Sequence, residues 1–273
     1  PAYGRIDYPA HKYGQTLVGS AAWIPDDRSS RFSLRNMRYY YDNSALEERF
    51  VAAAAVEGTA AAGRPLALPL DTTDGSEVIE IVNALNHTQL VTVLVYDAAG
   101  AEAAQIAFDL AAHATRHVIV DSLLDAQAST RGLAVVQGGS AAGIAAAALK
   151  YGRTAEMGIN YAYSSPLREA LGASLRTSYN TFLGQGCLML AGNTTASSQT
   201  LLLSMQRTDG TAVLAGLELT IPAHGTIAYD ICSHESSEQY GAITVTPALA
   251  NTLTASLIRT GAGNTYRFAL QAR

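Results

Sequence analysis

Cysteine and histidine are the residue types in this 273-residue chain whose positions could support chemistry. The two cysteines, Cys187 and Cys232, could form a disulfide or remain two buried thiols, and the residues alone leave both alternatives open. His113 and His224 each stand in an Ala-His-x-Thr segment without a second histidine or carboxylate at the spacing of a metal site. A polar turn residue is therefore the simpler interpretation of each histidine, and no cofactor or metal is expected.

The sequence lacks the usual patterns of nucleophilic and phosphate-binding sites. The chain contains no Gly-x-Ser-x-Gly segment that would form a nucleophile elbow. Its close glycine pairs, at 138–139 and at 184 and 186, stand between strand-like runs and do not open helices as phosphate-binding loops do. The sequence therefore predicts a protein that is not an enzyme.

Two Asn-x-Thr segments, at Asn86 and Asn193, match the acceptor pattern for N-glycosylation. Both fall in what is predicted to be the same interstrand loop of two repeated bodies, a placement compatible with an exposed, modified loop. The alternative is that they are chance matches in a Thr-rich chain, or asparagines that serve the turn itself.

Charge and hydropathy exclude two classes of partner. The formal net charge is −5 and the acidic residues are scattered, which argues against binding nucleic acid. The sequence has no run of 18 apolar residues, so no membrane span is expected. The apolar fraction is 48% with only five Phe and one Trp, which predicts cores of small aliphatic side chains.

The two ends of the chain are similar to each other, because Thr252 to Leu270 repeats the spacing of Thr16 to Leu34 without a gap. Such self-similarity is typical of repeated supersecondary units, here a hairpin. A looser third copy is expected where Met157, Ile159 and Tyr161 alternate. The side chains expected to form the N-terminal hairpin and its extension are Trp23, Phe32, Leu34, Tyr39 and Tyr41.

Two longer bodies lie between these hairpins, from about residue 65 to 137 and from 179 to 246. Apolar side chains at 91, 93 and 95 match those at 201, 203 and 205, and both runs end in a glycine turn. Short alternating strands separated by turn residues predict antiparallel β-sandwiches. Short helical links are expected in the Ala-rich segment 43–63 and at 165–169, where Pro166 would start the helix.

The predicted fold is therefore all-β, with tandem immunoglobulin-like antiparallel sandwiches joined by short helical links. Residues 1–42 would form an N-terminal arm and a partial repeat, residues 43–160 the first sandwich and residues 161–273 the second.

Several segments carry a family resemblance: Ala191 to Thr195, Leu201 to Gly210, Pro222 to Thr226, and Tyr229-Asp230. The chain here resembles the immunoglobulin-like repeats of large secreted bacterial surface proteins. The resemblance implies an extracellular or cell-surface location and a non-catalytic scaffold without a shared site. In the strand order of that family the strands carrying Cys187 and Cys232 are neighbours, which favours the disulfide over free thiols.

Three predicted hairpins serve only two bodies, so one hairpin lacks a sandwich of its own. Strand edges with apolar faces are prone to pair with other chains. The leading hypothesis is therefore a homo-oligomer or filament, in which the terminal hairpin pairs head-to-tail with a neighbouring chain to build a surface fibre, coat or stalk. The alternatives are an adhesin or carbohydrate-binding module, and accessory domains of a larger secreted protein.

Overall fold

The computed structural model describes residues 21, 35–42, 49–57, 61–124, 130–140, 143–153, 158–262 and 267–270. These residues form an all-β protein, as predicted, with two short 3-10 turns at Phe182–Gly184 and Cys232–His234. The strands are β1 (Arg35–Asp42), β2 (Arg49–Glu57), β3 (Leu66–Asp71), β4 (Gly75–Asn83), β5 (Gln89–Asp97), β6 (Glu102–Leu110), β7 (Thr115–Ile119), β8 (Arg131–Gly138), β9 (Ile144–Arg153), β10 (Ile159–Pro166), β11 (Leu175–Asn180), β12 (Gly186–Asn193), β13 (Gln199–Arg207), β14 (Ala212–Ile221), β15 (Thr226–Asp230), β16 (Tyr240–Pro247), β17 (Leu253–Thr260) and β18 (Arg267–Leu270).

Strands β3 to β10 form one antiparallel sandwich and β11 to β18 form a second with the same topology. The sheets of the first have the orders β10-β9-β4-β7 and β3-β8-β5-β6. Those of the second, β18-β17-β12-β15 and β11-β16-β13-β14, repeat these orders strand for strand. Paired strand positions of one sandwich therefore have equivalents in the other, 105 to 111 residues along the chain.

The predicted core faces are confirmed in both sandwiches. Val91, Val93 and Val95 of β5 are 0% exposed, and so are their equivalents Leu201, Leu203 and Met205 of β13. Because side chains alternate along a strand, these residues all point between the two sheets of their own sandwich. Their apolar surface is there removed from water, which stabilises the fold.

The expected helical links are wrong. The Ala-rich segment forms strand β2, whose Ala52 and Ala54 are buried against Ala162 of β10. Alternating alanines allow a strand backbone to approach another layer closely, and this packing outweighs the helix propensity of alanine. Pro166 ends strand β10 rather than starting a helix, and Leu167 after it is buried in the first core.

The predicted boundary between the bodies shifts. Strand β10 pairs with β9 of the first sandwich, so residue 161 belongs to the first body and the link between sandwiches is 167–174. Each sandwich therefore uses the hairpin that follows it in the chain. The register of the middle hairpin also differs from the prediction, because Tyr163, rather than Ile159, is the equivalent of Phe268.

Only the extension of the predicted N-terminal hairpin lies among the described residues. Strand β1, which carries Tyr39 and Tyr41, pairs with β2. Trp23, Phe32 and Leu34 lie outside the described residues.

The second sandwich packs its outer sheet face onto one flank of the first. Leu190 and Ile258, which point away from their own core, are buried against Tyr161 and Tyr163 of β10. At the β5–β6 turn, Thr226 donates its backbone N–H to the carbonyl oxygen of Ala98 at 3.0 Å. The two bodies thus share an apolar junction as well as a chain link.

Gly100 and Gly210 provide a matched pair for testing this junction, because they end equivalent turns with positive φ angles of 92° and 87°. A Cβ at Gly100 would lie 1.8 Å from the carbonyl oxygen of Ala223 in the second sandwich, whereas a Cβ at Gly210 meets nothing within 4 Å. We expect Gly210→Ala to cost only the left-handed backbone strain, about 1–2 kcal/mol. Gly100→Ala should cost at least about 1 kcal/mol more, since the sandwiches must separate. Denaturant unfolding of both variants measures this difference, and equal losses would contradict the junction.

Candidate assembly surface

The β1–β2 hairpin lies against the outer face of the first sandwich. Strand β2 lies beside β10 and packs its small side chains against that strand. Ser164 of β10 donates a hydrogen bond from its hydroxyl to the carbonyl oxygen of Ala55 at 2.5 Å. Tyr151 of β9 packs with the hairpin alanines, and Leu149, on the same side of that strand, points away from the sandwich core and is 0% exposed. The hairpin therefore lies on the outer face of β4 and β9 that carries Glu80, Leu149 and Tyr151, which we call the acceptor face.

A charged contact fixes the hairpin on the acceptor face. Both terminal nitrogens of Arg38 in β1 donate to the carboxylate of Glu80 in β4 at 2.6 Å, a bidentate pair. Nε2 of His117 in β7 lies 3.2 Å from the same carboxylate. Beside this group, the hydroxyls of Tyr40 and Tyr151 lie 3.2 Å apart. Since the Glu80 side chain is only 12% exposed, removing Arg38 would leave a poorly solvated charge.

The equivalent face is covered in both sandwiches, by the β1–β2 hairpin in the first and by β10 in the second. Glu80 and Leu149 of the acceptor face are the equivalents of Leu190 and Ile258, which the first sandwich covers through β10. In the first sandwich the two-stranded hairpin takes this covering place. The hairpin therefore takes a place on the first sandwich similar to the one that β10 takes on the second.

The other face of the hairpin is open. Met37, Tyr39 and Tyr41 of β1 and Phe50 of β2 are 45–57% exposed. The rings of Tyr41 and Phe50 form an edge contact with centroids 6.2 Å apart, so these side chains form a continuous apolar strip. The exposed face contains the two predicted tyrosines that the structure describes.

Cys187 and Cys232 are joined by a disulfide, with Cα atoms 5.1 Å apart. It links the start of β12 to the turn after β15 in the core of the second sandwich. The equivalent positions of the first sandwich hold Glu77 and Asp121. The second sandwich therefore has a disulfide at the positions where the first sandwich has two carboxylates.

Glu77 belongs to a buried polar group between the sheets of the first sandwich. Its carboxylate accepts the backbone N–H of Asp71 at 3.0 Å, and Lys150 donates to the carbonyl oxygens of Asp71 and Thr73. Burial raises the pKa of Glu77 to about 7, against the opposing effect of Lys150. Burial likewise lowers the pKa of Lys150. Glu77 is 4% and Lys150 1% exposed. A substrate could not reach these buried groups, so we assign them a structural role in the core.

The glycosylation prediction for Asn193 is wrong, because its side chain is 0% exposed. Its amide nitrogen donates to the carbonyl oxygens of Ser197, Ile221 and Pro222, so the asparagine holds its own loop closed. The equivalent residue in the first sandwich is Asn83, with the same three-carbonyl pattern, and not Asn86. Asn86 is exposed, and its modification stays a prediction.

The two repeated histidines occupy equivalent turns, at φ angles of 57° for His113 and 52° for His224. His224 also stacks on Tyr96 with ring centroids 4.6 Å apart, which adds to the junction between the sandwiches. Within the described part of the chain, no group of three or more His, Cys, Asp or Glu side chains could hold a metal ion. No helix among those residues is long and apolar enough to cross a membrane.

Comparison with known proteins leaves the family open. No family model matches the chain, and no curated protein does. Among solved structures, a calcium-binding mutant of β-glucuronidase 2 from Bacteroides uniformis matches with 12% identity and a TM-score of 0.17, over 75% of this chain and 26% of the other. A β-glucuronidase of glycoside hydrolase family 2 matches with 9% identity and a TM-score of 0.16, over 75% and 23%. The chain spans about a quarter of the length of these enzymes, and the similarity is too weak to indicate an activity.

The raised pKa of Glu77 predicts a pH dependence of stability. The folded state holds this proton up to about pH 7, because burial raises the pKa of Glu77, whereas the unfolded carboxyl loses it near its ordinary pKa of 4.5. The free energy of unfolding should therefore fall as the pH rises from about 5 to 7.5, by up to about 3 kcal/mol. Glu77→Gln keeps an acceptor for the Asp71 N–H and should flatten this fall. Chemical unfolding at several pH values measures this dependence. The control is Glu218→Gln, which changes an exposed residue of β14 and should leave the dependence as it is. If the free energy of unfolding of Glu77→Gln falls with pH as steeply as that of the unchanged protein, Glu77 is not its cause.

Proposed function

We propose that this protein is a non-catalytic, secreted structural protein whose copies assemble through the β1–β2 hairpin. The observation that carries the proposal is that the acceptor face is covered by a two-stranded hairpin where the second sandwich has a whole sandwich. The hairpin is therefore a small, separable donor, and the acceptor face is built to receive a preceding unit.

Hairpin exchange between copies would use contacts that already exist within one chain. The hairpin is connected to β3 by residues 58–65, and the contacts that hold it are a few polar groups and a patch of alanines. If the hairpin of one copy docks on the acceptor face of the next, the contact is head-to-tail and propagates as a fibre or coat. Reciprocal exchange would instead close a dimer.

The exposed strip of Met37, Tyr39, Tyr41 and Phe50 supports assembly. In the described residues of a single chain this strip has no apolar cover. Apolar strips of this kind tend to mark interaction surfaces. The buried disulfide is in keeping with an oxidising compartment, so we propose an extracellular or cell-surface location.

Charge exchange across the Arg38–Glu80 pair tests whether the hairpin docks between chains. Arg38→Glu and Glu80→Arg, made in separate chains, each place like charges in a poorly solvated contact, so each should lose assembly. An equal mixture restores opposite charges only between the two different chains. Light scattering after size exclusion should therefore show association of the mixture but not of either variant alone.

Two controls complete this test. The double variant Arg38→Glu with Glu80→Arg should behave as the unchanged protein, since it restores the pair within one chain. Arg35→Glu changes the exposed Arg35–Glu57 pair inside the hairpin and should leave assembly unaffected. A mixture that stays monomeric while the double variant folds normally would exclude docking between chains through this pair.

A second candidate function is carbohydrate binding, because Tyr39, Tyr41 and Phe50 present aromatic side chains on an open strand surface. Tyrosine side chains supply a flat apolar body with a polar tip. This reading would also suit an accessory domain of a larger secreted protein.

The two candidates differ in what the tyrosines bind. If the strip binds sugar, the double variant Tyr39→Ala and Tyr41→Ala should lose retention on polysaccharide by at least about tenfold, while the charge-exchange results stay negative. Affinity electrophoresis in gels containing soluble polysaccharides measures the retention. The control is Tyr240→Ala, which removes a tyrosine of similar exposure (55%) from β16. Unretarded migration of the unchanged protein would remove the carbohydrate candidate.

A further inference from the structure

Two side chains with basic groups share one carboxylate where the β1–β2 hairpin meets the first sandwich. Both terminal nitrogens of Arg38 donate to the carboxylate of Glu80 at 2.6 Å, and Nε2 of His117 lies 3.2 Å from Oε1 of the same group. Glu80 and His117 lie opposite each other in the paired strands β4 and β7, whereas Arg38 belongs to the hairpin. Glu80 therefore has one partner that leaves with the hairpin and one that stays with the sandwich.

The other ionisable groups around this contact, among the described residues, do not offset a charge on His117. Tyr40 of β1 and Tyr151 of β9 face it with their hydroxyls 3.2 Å apart, and tyrosine hydroxyls are uncharged at neutral pH. Burial raises the pKa of Tyr40 further above its ordinary value. Arg116, beside His117 in β7, places its guanidinium over the ring of Phe108 in β6, at 4.0 Å from the centroid.

We infer that His117 makes the docking of the hairpin sensitive to acid. With the hairpin released, a protonated His117 and the ionised Glu80 form a neutral pair within the sandwich. With the hairpin docked, Arg38 already neutralises that carboxylate, so a proton on His117 adds a net positive charge beside a side chain that is only 12% exposed. Docking therefore favours the unprotonated histidine, and by linkage acid favours release. The change falls near pH 6.5, where histidine side chains ordinarily titrate.

The stability of the first sandwich has the opposite dependence on pH. Because burial raises the pKa of Glu77 to about 7, the free energy of unfolding should rise as the pH falls from about 7.5 to 5. A hairpin that loosens in acid would therefore not be explained by unfolding of the sandwich beneath it. The inference concerns docking within one chain and does not depend on the proposed assembly.

Hydrogen exchange of the β2 amides measures docking in the full chain. A two-stranded hairpin is at best marginally stable alone, so the ladder between β1 and β2 should open once the hairpin is released. After correction for intrinsic exchange rates, protection of β2 should fall by about three- to tenfold between pH 7.5 and pH 5.5, as expected for a partly exposed charge contact. The amides of β4, in the sandwich, are the internal reference and should not lose protection.

Three variants assign the effect to its groups. His117→Gln keeps a polar side chain that does not titrate, and its β2 protection should change by less than about twofold over this range. Arg38→Gln keeps a donor for Glu80 without the positive charge, so protection should be lower at pH 7.5 and its fall towards pH 5.5 should be smaller. The control is His87→Gln, which changes an exposed histidine between β4 and β5 and should keep the full fall.

Two results would overturn the inference. One is protection of β2 that is constant or higher at pH 5.5 in the unchanged protein. The other is a fall in His117→Gln as steep as in the unchanged protein, which would place the titrating group elsewhere. The measurements are made at concentrations where the protein is monomeric, so a failure of the charge-exchange test of assembly would leave their outcome unaffected.

Discussion

The outer face of one sheet in each sandwich is apolar, and the need to cover that face orders the rest of the chain. Leu149 and Ile258 point away from their own cores and are almost fully buried. Apolar side chains on the outer face of a sheet are stable in water only when another layer covers them, and in both sandwiches another part of the chain does so. The first sandwich covers the second, and the β1–β2 hairpin covers the first.

The two sandwiches solve the same packing problem with different chemistry. Where the second has the disulfide between Cys187 and Cys232, the first has Glu77 and Asp121, and Lys150 is buried near Glu77. A disulfide stabilises mainly by restricting the unfolded chain, whereas buried charges cost desolvation and must be offset by hydrogen bonds. The stability of the first sandwich therefore depends on pH through Glu77 in a way that has no counterpart at this location in the second.

The sequence predicted the repeat and the core faces because period-two alternation at 91–95 and 201–205 is a local signal. It did not predict strand β2, because four consecutive alanines carry no period and their conformation is decided by packing against Ala162. The repeated Asn83 and Asn193 were detectable, since both precede strands that start with glutamine by six residues. The acceptor pattern for glycosylation instead matches Asn86 to Asn193, three residues beyond Asn83, the true equivalent. The pairing of the N-terminal hairpin with the acceptor face involves residues far apart in sequence, which no local pattern encodes.

The two sandwiches differ at the surface that the first one uses in the junction. Ala67 and Leu133 of the first sandwich are buried at the junction, and their equivalents are the exposed Arg176 and Ala242. Tyr96, which stacks on His224, is replaced by the exposed Gln206. The surface that the first sandwich buries in the junction is therefore more polar at the equivalent place in the second sandwich. This difference explains why two sandwiches of the same topology have different packing roles in the described part of the chain.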